Sequence, residues 1–226
     1  MTHLTITGET IGQTVLTAGG ATAVLYSNAV ASERITVLSL AATPPTWRTL
    51  RVHAPVLSVI ATADGKGAVV LHPPDNSAVT GNADAGAKTA DGGAGDGGTA
   101  GESMSAPAAG AFSLLPLDGT HPALIQATDA PIQAVAVSPD RTLITVRDDH
   151  QAIFGAYLGQ FPTLAVQRYP LASPPIAAGV AAIAGRGYVA QQHPDGRITL
   201  IALDSGDART LTGYELGARV VDWSRP

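Results

Sequence analysis

Arg34-Ile-Thr-Val-Leu-Ser-Leu40 and Arg197-Ile-Thr-Leu-Ile-Ala-Leu203 are nearly the same β-branched strand, written twice in one chain 163 residues apart. Working outward from that pair, the flanking segments repeat as well. Ala18-Gly-Gly followed by Ala23-Val-Leu matches Ala63-Asp-Gly followed by Ala68-Val-Val at an offset of 45. Ser138-Pro-Asp-Arg followed by Leu143-Ile-Thr-Val matches Ile183-Ala-Gly-Arg followed by Tyr188-Val-Ala, again 45 residues on. Pro131-Ile132 and Pro175-Ile176 open equivalent strands 44 residues apart, and Arg219-Val220 opens another 44 later. Pro55-Val56 stands 76 residues before Pro131-Ile132, which is one period with an excess of 32. Self-similarity at a fixed period of this length is the signature of a repeat architecture.

The excess has an obvious source. Gly81 to Gly110 reads GNADAGAKTADGGAGDGGTAGESMSAPAAG, with 9 of the chain's 25 Gly, no aromatic, no Leu, Ile or Val, and one Lys against four acids. Such a composition cannot bury enough apolar surface to offset its ordering entropy. It predicts a disordered Gly/Ala/Asp-rich insertion at about 78–110, inside a single domain that spans 1–226.

Elsewhere short alternating or β-branched runs are punctuated by Gly, Pro and Asp: Thr14–Thr17, Ala23–Ser27, Val56–Ala61, Ala68–His72, Ile132–Val137, Leu143–Val146 and Tyr188–Gln191. These are strand signals at regular spacing. Only Ile176–Ile183, rich in Ala and Gly, passes for a helix, and it is short. The expectation is all-β. Counting from Ile11 to Gly217-Ala218 and leaving out the insertion gives four units of 44 residues. Each reads as strand, Asp/Gly turn, strand, loop, strand, turn, strand, with recurring third-strand ends at Leu40, Leu117-Asp-Gly, Leu158-Gly-Gln and Leu203-Asp-Ser-Gly. Four antiparallel strands in that length is one β-propeller blade. Arg219-Val-Val-Asp-Trp-Ser224 aligns with the innermost strand of a further blade, and Thr2–Thr7 with the outermost strand of a preceding one. The expected fold is therefore a β-propeller with four visible blades, the C-terminal part of a larger propeller of seven or eight.

Val137-Ser-Pro-Asp-Arg-Thr-Leu-Ile-Thr-Val146 resembles the core of YVTN-type and WD40-like propeller repeats. Gly187-Tyr-Val189 with Asp195-Gly-Arg-Ile-Thr-Leu-Ile-Ala-Leu203 is similar to the rest of that unit, and Thr62-Ala-Asp-Gly-Lys66 matches in part. The Gly-His and Trp-Asp signatures of true WD40 repeats are absent. The resemblance implies binding functions of many kinds, and allows a cell-envelope or exported parent protein.

Composition narrows the function classes. With 13 Lys+Arg against 18 Asp+Glu the net charge is −5, and the basic residues are scattered singly, which argues against nucleic acid as a partner. No apolar run approaches the roughly 20 residues of a membrane-spanning helix. Zero Cys removes thiol catalysis, thiolate metal sites and disulfides. The N-terminal Met-Thr-His-Leu-Thr-Ile-Thr has no basic start and no long apolar stretch, so no export signal is read there and the localisation stays open.

The candidate chemistry lies in six His, none with HxxxH or HExxH spacing. Repeat alignment puts His72, Asp148 and His193 at equivalent positions after the second strand, where the loops share a face with those joining successive blades. His53 precedes one such junction and His150 follows Asp148. The expected ligand face is His53, His72, Asp148, His150 and His193, with His72, Asp148 and His193 as the metal candidates. The plainer reading of all five is polar loop-edge residues at solvated positions. Gly93-Ala-Gly-Asp-Gly-Gly98 fits GxGxxG but lacks the flanking strand and helix of a dinucleotide site. Asp64, Asp140 and Asp195 read as turn residues, and Trp47 and Trp223 as packing at blade edges. No GxSxG elbow occurs. No catalytic residue and no cofactor is expected. The expected function is a non-enzymatic binding or scaffolding module for a protein or small polar ligand, with association through exposed blade edges. The alternative is a hydrolase or lyase whose central-channel site lies partly in further blades.

Overall fold

The repeat period becomes four consecutive four-stranded antiparallel sheets in a computed structural model that describes residues 6, 8, 10–74 and 109–213. The first holds β1 (Gln13–Leu16), β2 (Thr22–Tyr26), β3 (Arg34–Ser39) and β4 (Thr46–Arg51). The second holds β5 (Ser58–Ala61), β6 (Gly67–His72), β7 (Gly110–Pro116) and β8 (Leu124–Thr128). The third holds β9 (Ile132–Val137), β10 (Arg141–Asp148), β11 (Ile153–Gln160) and β12 (Val166–Pro170), and the fourth β13 (Pro175–Ala181), β14 (Arg186–Gln191), β15 (Arg197–Ala202) and β16 (Ala208–Thr212). In every sheet the spatial order is the sequence order, the meander of a propeller blade. The segment that passed for a helix is β13, closed by one 3-10 turn at Ala182–Ala184. The insertion, Thr2–Thr7, Gly93–Gly98 and Arg219–Ser224 with Trp223 fall outside the described residues, apart from Ile6, Ala109 and Gly110.

One device sets the register of the first three blades. The Thr17 hydroxyl donates to the Thr22 carbonyl (3.2 Å) and accepts the Thr22 N–H (3.3 Å). Thr62 does the same with Gly67 (3.0 and 3.0 Å), and Ser138 with Arg141 (3.1 and 3.1 Å). A hydroxyl that occupies both backbone groups closes the reversal between the first and second strands and leaves no buried group unpaired. The turn spans five residues in the first two blades and three in the third.

Blades stack through their alternating side chains. Val24, Tyr26, Ile35 and Val37 of blade 1 meet Val59, Ala68, Val70 and Leu115 of blade 2. Val69, Phe112 and Leu114 then meet Ile144, Val146 and Tyr157 of blade 3, with Phe112 and Tyr157 edge to face at 5.8 Å. Leu143, Ala156, Leu158 and Tyr169 meet Val189, Ile201 and Leu203 of blade 4. Each fully buried aliphatic or aromatic side chain contributes about 1.5–3 kcal/mol. Gly159 is glycine because it is crowded from two sides: a Cβ there would stand 2.6 Å from Thr142 Cγ2 of its own blade and 3.0 Å from Leu114 of blade 2. The recurring third-strand leucines tie the stack as well. The carbonyl of Leu117 accepts from the Arg48 guanidinium of blade 1, and that of Leu203 from Arg141 Nε of blade 3 at 3.3 Å.

Candidate functional site

Five positions were expected on one loop face, and the structure gives them different roles. The turn Ser138–Arg141 is two residues shorter than its counterparts, so the strand registers equate His72 with Val146 and Gln191. Asp148 and His193 lie two residues further on. Counting across that turn at full length groups His72 with Asp148 and His193, and the shorter turn separates them by two residues.

His72 ends β6 and is 4% exposed. Its Nδ1 stands 2.8 Å from the Pro55 carbonyl and its Nε2 2.7 Å from Ser113 Oγ. A carbonyl only accepts, so Nδ1–H donates to Pro55 and Nε2 accepts from the Ser113 hydroxyl. Both ring nitrogens are committed. Burial pushes the imidazole pKa down against the opposing effect of the Pro55 contact, which keeps the ring neutral. At the equivalent place in blade 4, Gln191 donates to Thr199 Oγ (2.7 Å) and accepts the Ser173 N–H (3.2 Å). In blade 3 the bridge starts from the third strand, where the Tyr157 hydroxyl donates to Asp129 (3.0 Å) and Arg168 pairs with the same carboxylate. Three blades thus tie one of their two middle strands to the linker that enters them. This link escaped sequence reasoning because its chemistry changes from blade to blade.

The other four positions are exposed or half-buried turn residues. Asp148 Oδ1 accepts the N–H groups of His150 (2.9 Å) and Gln151 (3.1 Å), and so closes the β10–β11 turn. His53 takes a left-handed backbone (φ 61°) in the linker to blade 2. His193 Nδ1 accepts the Asp195 N–H at 3.2 Å, which leaves Nε2 as its donor. Among the described residues no three His, Cys, Asp or Glu side chains stand close enough together to hold a metal ion.

What the loop face does contain is a cleft at the junction of blades 3 and 4. It has a volume of about 600 Å³ and is lined by Arg147, Asp149, Pro174, Gln192, His193 and Pro194. Arg147 Nε donates to Asp149 Oδ1 at 2.7 Å, and this bond holds the Asp149 carboxyl below its usual range and raises Arg147. Of the expected set only His193 lines the cleft. Arg147, Asp149 and Gln192 were not singled out, since nothing in their spacing separates them from ordinary turn residues. The walls offer a guanidinium, an imidazole N–H, an amide and a carboxylate between two prolines. Most of the exposed wall is apolar, and a few polar groups on such a wall fix the orientation of what binds there.

No family model matches the sequence, and no curated protein does. Solved structures do. A eukaryotic initiation factor structure is similar at 9% identity over 89% of this chain and 42% of its own, with a TM-score of 0.56. The β-propeller domain of Myceliophteria thermophila Cps50 (Swd1) is similar at 10% identity over 92% and 56%, TM-score 0.46. A putative TolB from Agrobacterium tumefaciens is similar at 14% over 90% and 62%, TM-score 0.45. The chain spans less than two thirds of the length of each. At these identities the likeness speaks to architecture alone; the four consecutive four-stranded meander sheets make this an all-β chain of four propeller blades.

Proposed function

We propose that the chain is a non-enzymatic binding or scaffolding module of the YVTN/WD40-like repeat type, and that it takes polar ligands at the cleft between blades 3 and 4. The observation that supports this reading is the cleft itself: Arg147, Gln192 and His193 present donors, and Asp149 an acceptor, on a rigid base of paired strands. Recognition sites built on loops that a scaffold holds in place are the usual arrangement. His72 plays no direct part, because both its nitrogens are spent inside blade 2. The test is an amide-resonance titration of the protein with short acidic, basic and neutral peptides. Shifts concentrated at Arg147–Asp149 and Gln192–Pro194, with affinity reduced at least tenfold by His193→Ala, are expected. Shifts scattered over all four blades, or none with any peptide, would refute the cleft as the site.

A further inference from the structure

The cleft between blades 3 and 4 carries its charges already matched. Arg147 lies at the end of β10, and its backbone N–H is tied at 3.0 Å to the Pro131 carbonyl in the linker that enters blade 3. Its Nε donates to Asp149 Oδ1 at 2.7 Å, so the two opposite charges on the cleft wall stand in contact. Of the charged groups nearby, Arg168 is paired with Asp129. Arg197, at the start of β15, donates to Ser173 Oγ at 3.0 Å and Thr212 Oγ1 at 3.2 Å, and does not line the cleft. The hydrogen-bonding ends that remain on the wall are polar without net charge. Gln192 is exposed, with its backbone N–H tied to the Pro174 carbonyl at 2.8 Å. His193 presents Nε2–H, because its Nδ1 accepts the Asp195 N–H. Asp149 keeps its second oxygen and Arg147 its two Nη groups.

On the reading of this cleft as the binding site, we infer that it selects an uncharged peptide segment and that Asp149 sets the preference. A peptide amide offers one acceptor and one donor. Arg147 Nη and His193 Nε2–H suit the first, and Asp149 Oδ2 suits the second. The apolar side chains of such a segment lie against Pro174 and Pro194, which stand on the two sides of the polar groups in the sequence of blade 4. A carboxylate drawn to Arg147 meets Asp149 beside it, and an ammonium drawn to Asp149 meets Arg147. In both cases the Coulomb gain largely cancels while the cost of desolvating the ligand's charge stays. A like charge set next to the anchoring group is specificity by repulsion. No aromatic ring lines the cleft, so a nucleobase finds no stacking platform there.

The test is an amide-resonance titration of the whole chain at neutral pH. End-blocked peptides of Ala, Leu and Gln are compared with the same peptides carrying Glu or Lys in place of Gln. The uncharged series is expected to bind about tenfold more tightly than either charged series. Its affinity should change by no more than about twofold when salt is raised, since screening acts on net charge. Asp149→Asn keeps an oxygen for Arg147 Nε and removes the negative charge. In that variant the Glu peptides are expected to gain more than about tenfold and become the tightest series. Shifts at Arg147–Asp149, Gln192 and His193 with a charged series tightest on the native chain overturn the uncharged preference and leave the cleft as the site. Shifts absent from those residues with every peptide overturn the cleft itself. An Asp149→Asn chain that keeps the native circular dichroism spectrum and the native order of the three series overturns the role of Asp149.

Discussion

Removal of the His72 imidazole measures how much of a blade depends on its interior polar bridge. His72→Ala deletes two buried hydrogen bonds, each contributing about 1 kcal/mol, and strands the Pro55 carbonyl and Ser113 hydroxyl without replacements. The void left in a nearly fully buried site adds about 1–2 kcal/mol. The expected loss is about 3 kcal/mol. His72→Gln restores an amide that can donate and accept, as Gln191 does at the same place in blade 4, and loses only about 1 kcal/mol. Urea unfolding followed by circular dichroism at pH 7.5 reads both, with the Ala midpoint roughly 1 M below native for a slope of ~2–3 kcal/mol per M. The pH dependence adds a sign. The folded-state pKa of His72 lies below its unfolded value. The unfolded chain therefore takes up the proton first, and the full contribution is present above the unfolded pKa near 6.5. It is lost as pH falls from there toward the folded pKa. The stability gap between native protein and His72→Gln accordingly narrows on going from pH 7.5 to 5. An Ala variant within about 0.5 kcal/mol of native, or a gap that widens in acid, would refute the buried neutral bridge.

Three further outcomes follow from the packing. Leu158→Ala, at the centre of the junction between blades 3 and 4, should lower stability by about 2–5 kcal/mol in the same urea assay. Gly159→Ala drives a methyl into Thr142 and Leu114 and should cost about 1–3 kcal/mol, whereas Gly19→Ala meets nothing within 4 Å and provides the contrast. His72 and Ala111 are paired neighbours, so a six-residue turn in place of residues 75–108 should keep the circular dichroism spectrum and raise stability by about 1.5 kcal/mol through the shorter closure. A loss of β signal in that variant would give the segment a structural role.

The period and the strand pattern were legible in the residues, whereas the turns read as Asp/Gly reversals without the Thr17, Thr62 and Ser138 hydroxyls that close them. Thr62 and Ser138 mark equivalent reversals, and Leu117 and Leu203 end equivalent strands, because each repeat solves the same backbone problem with the same residue type. The site was far less legible. His72 looks like a loop histidine in the sequence, yet a turn two residues shorter in blade 3 breaks the count that grouped it with Asp148 and His193. Its role depends on Pro55 and Ser113, 17 and 41 residues away. The cleft likewise joins Arg147 and Asp149 to Gln192 and His193 across a blade junction, which no local spacing records.

The claim on which the account depends is that the described residues of the four blades form three apolar junctions, with none between blade 4 and blade 1 of the same chain. The absence of native Cys makes it directly measurable. Nitroxide labels on cysteines placed at Ala41 and Ser205, in the last turns of blades 1 and 4, are compared by pulsed dipolar spectroscopy with labels at Thr120 and Thr163 in the same turns of blades 2 and 3. Labelled chains are diluted into an excess of unlabelled protein, so that only distances within one chain are read. The account predicts a markedly longer distance for Ala41–Ser205 than for Thr120–Thr163. Equal distances would mean that blade 4 packs on blade 1 of its own chain, and would contradict it.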